Sequence, residues 1–217
     1  MSASAIPADG HRSGFVAGAE HARGRGKSGP ATRRIVVGYG FWLFILSDIV
    51  MFSVFFATYV VLLRGTAGGP APVALFDLRH TALETALLLL SSFCCGLASM
   101  AVDRRNQLWT QITLTVTGLL GAGFVLLEAR EFARMAARGA TPQHSAFLSA
   151  FFTLVGCHGL HVSLGLIWLA TTMAQFLAKG FRRSMRHRFY CFSLFWHALD
   201  IIWIGIFTIV YLGGIMA

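Results

Sequence analysis

Charge is what this sequence has least of. Asp, Glu, Lys and Arg make up 12% of its 217 residues, where a soluble domain carries about a quarter. With 56% hydrophobic residues and a mean hydropathy of +0.66, that shortage argues against an ordinary soluble domain and for a membrane protein. Cysteine is limited to Cys94, Cys95, Cys157 and Cys191, with no CxxC pair. All four lie in or beside apolar runs, so they are expected as small buried hydrophobes rather than as a disulfide framework or thiolate metal site. The apolar runs show no strict alternation and are too long for barrel strands, which excludes a transmembrane β-barrel. Acidic residues are outnumbered, and the formal net charge is +9. A gathered basic surface would suit nucleic acid. Here the basic residues instead flank apolar runs, where Lys and Arg set membrane topology, and no nucleic-acid partner is expected.

What is there is a series of apolar runs behind a basic tail. Residues 1–35, rich in Gly, Ala, Ser and Arg, lack apolar periodicity and are expected to be a disordered cytoplasmic tail. The first apolar run is too long for a signal-peptide core. GRGKS within the tail resembles part of a phosphate loop, but it follows no strand and lacks the full spacing. Residues 36–217 are expected to form one transmembrane domain with spans at about 36–63, 83–102, 108–127, 147–178 and 190–216, since roughly 20 apolar residues cross a bilayer. The expected fold is all-α, a five-transmembrane-helix antiparallel bundle. Gly118, Gly121, Gly123 and Gly165 would allow close helix approach.

Charge asymmetry orients the spans. Of the 18 Lys and Arg, only Arg64, Arg79, Arg130, Arg134 and Arg138 fall in the first and third connections or at their helix ends. The rest lie in the tail, the second connection and the fourth. The positive-inside rule therefore puts the N-terminus in the cytoplasm and the C-terminus outside.

Ionisable groups within spans are expensive and need a reason. Asp48 stands in ILSDIVMF. Glu84, Glu128 and Glu131 stand at the outer ends of the second and third spans. His158 and His161 stand in GCHGLHV, and His197 and Asp200 in FWHALDIIW. The last three pairs are spaced i, i+3, so each shares a helix face. Three uses fit. A metal or haem site would draw on carboxylates and histidines from several helices, but no Glu-x-x-His motif is present. A proton or ion path would use the same residue types, yet the spans show no inverted repeat. Thirdly, these groups tie helices together, meet lipid head groups and face a partner subunit.

Three segments carry a family resemblance. GFWLFILSDIVMFSVFFATYVVLL, FLSAFFTLVGCHGLHVSLGLIW and LFWHALDIIWIGIFTIVYLGGIM, in this order, resemble subunit III of the haem–copper terminal oxidases, most of all its cytochrome bo-type ubiquinol oxidase branch. The resemblance covers about residues 36–217. It implies a cytochrome c oxidase subunit III-like bundle of five helices. It also implies a chain without catalytic, cofactor or metal residues of its own. The haems and copper would belong to the catalytic subunit I, which reduces oxygen to water while pumping protons. Subunit II and a small subunit IV would be further partners, and phospholipid would occupy a cleft. The implied location is a bacterial cytoplasmic (inner) membrane, with the C-terminus periplasmic.

By that resemblance, Asp48 falls where many cytochrome c oxidase relatives have a reactive glutamate. Glu84, Glu128, Glu131, His158, His161, His197 and Asp200 become lipid-cleft or bundle-bracing residues. Ala198 departs from the aromatic residue more usual in the family. Alternatives are subunit III of a cytochrome c oxidase, a nitric oxide reductase-associated homologue or, from another class, a stand-alone transporter or metalloprotein.

Overall fold

The computed structural model describes residues 33–63, 78–180 and 183–216. Among these, five helices are long and apolar enough to cross a membrane. Helix α1 is Arg33–Leu62, α2 Leu78–Asp103, α3 Gln107–Ala137 and α4 Ala146–Lys179. Helix α5 is Arg183–Ile206. It continues through a π-helical turn, Phe207–Leu212, into the short α6, Gly213–Met216. Gly38–Ala217 forms one compact unit, and of Met1–Val37 only the helical residues from Arg33 are described. The expected disordered tail therefore lies, up to residue 32, outside the described residues.

Helices α2, α3 and α5 extend past the apolar runs that announce them. Helix α2 begins at Leu78, α3 runs on to Ala137 and α5 starts at Arg183. Helical hydrogen bonding does not stop where the apolar stretch stops, because it needs no apolar side chains. As a result Glu84, Glu128 and Glu131 sit within helices, with a further turn or more of helix beyond each.

The turns are specified locally. Arg105 takes a left-handed φ of 53° between α2 and α3. The next residue, Asn106, caps α3, its Oδ1 accepting from Trp109 N–H at 3.3 Å. Ser145 caps α4 by accepting from Leu148 N–H at 3.2 Å. Both satisfy helix-start donors that would otherwise lack partners. Gly180, at φ 62°, ends α4 by donating to Phe176 O at 3.0 Å.

Helices α2–α5 make the body of the bundle. Helix α1 lies against it through large side chains. Phe41 meets Trp168 edge-on at 5.8 Å, Phe52 meets His161 at 5.4 Å, and Tyr59 meets Phe147 at 5.7 Å. The core is strongly aromatic: Trp203, Tyr59, Phe52, Phe124, Phe147 and Phe151 are all fully buried.

Candidate functional site

The polar interior divides into two regions. The first is a seam between α2 and α5. Trp203 Nε1 donates to Thr85 Oγ1 at 3.1 Å, and Trp196 Nε1 donates to Ser91 Oγ at 3.1 Å. Ser92 Oγ and His197 Nδ1 are 2.6 Å apart. Cys95 Sγ donates weakly to Ser193 Oγ at 3.8 Å, and Ser99 Oγ lies 3.5 Å from the same hydroxyl. The Tyr190 hydroxyl donates to Asp103 at the far end. Residue numbers rise along α2 as they fall along α5, as one antiparallel register requires. Ser91 extends the seam to α3, its hydroxyl donating to Thr117 O at 3.1 Å.

The indole of Trp196 is the seam's widest member, and two glycines make room for it. A Cβ on Gly121 of α3 would come within 2.9 Å of the ring, and one on Gly165 of α4 within 3.0 Å. Those glycines were expected to let helix backbones approach. They instead form a notch that admits a tryptophan, because a missing Cβ opens space for a side chain as readily as for a backbone. Gly118 does the same for Leu169 at 3.2 Å, while Gly123 is in ordinary contact with Leu87 at 3.8 Å.

His197 and Asp200 therefore face the bundle, as their shared face requires. His197 clasps Ser92. Asp200 borders a crevice with Leu88, Val162, Trp196 and Leu199. Its Oδ1 is buried without a hydrogen-bond partner. Ser92, His197 and Asp200 are the residue types of a hydrolytic triad. The serine, however, meets the ring through Nδ1, the nitrogen that a triad reserves for its carboxylate. The geometry is that of a clasp between helices.

The second region lies where α2 begins and α3 ends. Glu84 and Glu128 are 2% and 4% exposed. Glu131 is within electrostatic reach of both. Its Oε2 is 3.1 Å from Arg134, and Glu84 Oε1 is 3.3 Å from His80 Nδ1. Both contacts are ion-pair distances without hydrogen-bond alignment, and those carboxylate oxygens, like both of Glu128, remain without hydrogen-bond partners. Of the two arginines neighbouring Glu128 and Glu131 in sequence, Arg134 makes the pair.

His158 and His161 share a face but not a role. His161 Nε2 lies 3.9 Å from Asp48 Oδ1 of α1, and its Nδ1 is 2.8 Å from Cys157 O. His158 is fully buried. It stacks on Trp203 at 5.3 Å and meets Phe124 and Phe52 edge-on, with neither ring nitrogen hydrogen-bonded. It packs as an aromatic plate. Among the described residues, no three His, Cys, Asp or Glu side chains gather as a possible metal set.

The model of the family described as cytochrome c oxidase subunit III matches residues 21–215. The chain belongs to that family. It is 49% identical over 176 residues to the cytochrome bo(3) ubiquinol oxidase subunit 3 of Pseudomonas aeruginosa, covering 81% of this chain and 84% of that one. It is 44% identical over 180 residues to the quinol oxidase subunit 3 of Bacillus subtilis, covering 81% and 86%. It is also 42% identical over 181 residues to a cytochrome c oxidase subunit 3 of a Bacillus species, covering 82% and 86%. A subunit III-like, all-helical membrane fold was legible from three motif segments.

The hydroxyls of the seam were not. Thr85, Ser91, Ser92 and Ser193 stand inside apolar runs, and only the paired serines of LLLLSSF hint at a polar face. His80 had a plainer signal, since it lies four residues before Glu84 and so on the same helical face.

Proposed function

We propose that this chain is subunit III of a respiratory ubiquinol oxidase of the cytochrome bo type. The supporting observation is the 49% identity over 176 residues to a bo(3) ubiquinol oxidase subunit. A cytochrome c oxidase relative at 42% falls within the 39–49% spanned by the quinol oxidase subunits, but the relatives at 44% and above are all quinol oxidase subunits, which favours the quinol branch. In this proposal the chain carries no redox centre. Haems and copper sit in subunit I, subunits II and IV complete the complex, and phospholipid lies against the bundle. The protein resides in a bacterial inner membrane with its N-terminus cytoplasmic and its C-terminus periplasmic, the side assignment resting on the distribution of Lys and Arg. Its task is to support assembly and sustained turnover of the catalytic subunit. Asp48, Glu84, Glu128, Glu131, His158, His161, His197 and Asp200 brace the bundle or border the lipid.

The test is a tagged purification in mild detergent, with a visible spectrum and mass identification of what accompanies the chain. Co-purified haem-bearing subunits with quinol-dependent oxygen uptake support the proposal. A chain that purifies alone with its own chromophore overturns it.

A further inference from the structure

We propose that Glu84 and Glu128 together hold one excess proton, making the end of the bundle where α2 begins and α3 finishes a buried proton-binding site. This goes beyond the proposed function and does not depend on the electron donor the complex uses.

The two carboxyl groups come from neighbouring antiparallel helices and are almost wholly enclosed by protein, at 2% and 4% exposed. Each lies within the other's electrostatic reach. Three of their four oxygens, Glu84 Oε1 and both of Glu128, are buried without a hydrogen-bond partner. Arg134 acts on Glu84 through space. It is engaged by Glu131 at 3.1 Å and is half exposed. His80 lies beside Glu84 but is not aligned to donate to it.

Among the described residues, the groups that other elements bring near the pair are aromatic or phenolic. Tyr59 of α1 donates its hydroxyl to Val210 O at 3.3 Å. Tyr211 of the π-helical turn is 2% exposed and within electrostatic reach of Glu84, Glu128 and Glu131. His158 of α4 packs between aromatic rings. Two carboxylates enclosed in such surroundings do not both remain charged, because burial takes them out of bulk solvent and the guanidinium of Arg134 is already paired with Glu131. One proton held by the pair removes one of the two charges. A metal ion would do the same, but no ligand set converges here among the described residues.

The π-helical turn is the second observation. Phe207–Leu212 departs from α geometry where Tyr211 joins the carboxylates. Such turns are rare and frequently stand at functional sites.

Infrared difference spectroscopy on the purified complex, wild type minus variant, tests the proposal at neutral pH. The wild type should show a carboxylic-acid C=O band that moves to lower frequency with ¹³C-labelled glutamate and in D₂O. The band should be lost in the double variant Glu84→Gln/Glu128→Gln and displaced in either single variant. Glu128→Asp keeps an acid on a shorter arm, so the measurement survives if the glutamine variants fail to assemble; there the band should move. Absence of the wild-type band, or a band unmoved by every one of these changes, overturns the proposal. Neither outcome alters the co-purification that tests the oxidase assignment.

Discussion

The α2–α5 seam and the carboxylate end place polar groups in the same apolar bundle and treat them in opposite ways. In the seam, each hydroxyl or ring nitrogen that reaches across meets a partner on the facing helix, from Thr85–Trp203 to Asp103–Tyr190. At the carboxylate end, Glu128 is likewise buried, yet both its oxygens lack a hydrogen-bond partner. Helix packing alone accounts for the seam. It gives no account of Glu128, since an apolar side chain there would pack without a polar penalty. A bundle built only for stability would have the first arrangement and not the second.

The comparison breaks most severely at Trp196. Trp196→Ala empties the Gly121–Gly165 notch and strips Ser91 of its donor. Large-to-small core changes of this kind cost about 3–5 kcal/mol, and a complex carrying the variant should lose this subunit on detergent challenge. Gly121→Val fills the same notch from the other side. With a Cβ already 2.9 Å from the ring, overpacking should cost about 1–3 kcal/mol, read as a lowered thermal midpoint.

Within the seam, Ser92→Ala and His197→Ala each remove one interhelical hydrogen bond, worth about 0.6 kcal/mol on average between membrane helices and up to about 1.7. His197→Ala should lower subunit retention and leave the haem spectrum of the complex unchanged; loss of haem would show that the clasp is something more. At the carboxylate end the expectation reverses. Glu128→Leu should leave the thermal midpoint unchanged or raise it, because replacing an unsatisfied buried acid with a packed apolar group removes a penalty. A drop as large as that of Trp196→Ala would mean that Glu128 holds the helices together as firmly as the seam does. The smallest effect belongs to Arg105→Gly. It relieves a left-handed backbone worth about 1 kcal/mol, offset in part by glycine's extra freedom in the unfolded chain.

How much of this could be seen beforehand depends on the kind of information. The five helices follow from hydropathy, because run length against bilayer thickness is a one-dimensional property. That His197 and Asp200 share one face follows from i, i+3 spacing, also local. Which helix they meet is not local. Ser92 is as plausible a lipid-facing residue as a seam residue until the α2–α5 register is known. Glu128 and Glu131 look alike in sequence, three residues apart, yet one is enclosed and the other reaches Arg134. The Glu131–Arg134 pair is an i, i+3 contact within α3 and so is local, whereas the enclosure of Glu128 depends on helices packed against α3. The π-helical turn is likewise invisible, since FTIVYL has the composition of ordinary helix.

The contacts of α1 also fix an order of events. Phe41, Phe52 and Tyr59 touch Trp168, His158 and Val210, all supplied by the C-terminal third of the chain. Helix α1 must therefore wait in the bilayer until α4 and the π-helical turn have followed it. Its companions α2 and α3, joined by a tight turn, can pair at once. Of these five spans the earliest made is thus the last to be locked in place, and truncations within α4 or α5 should release α1 first.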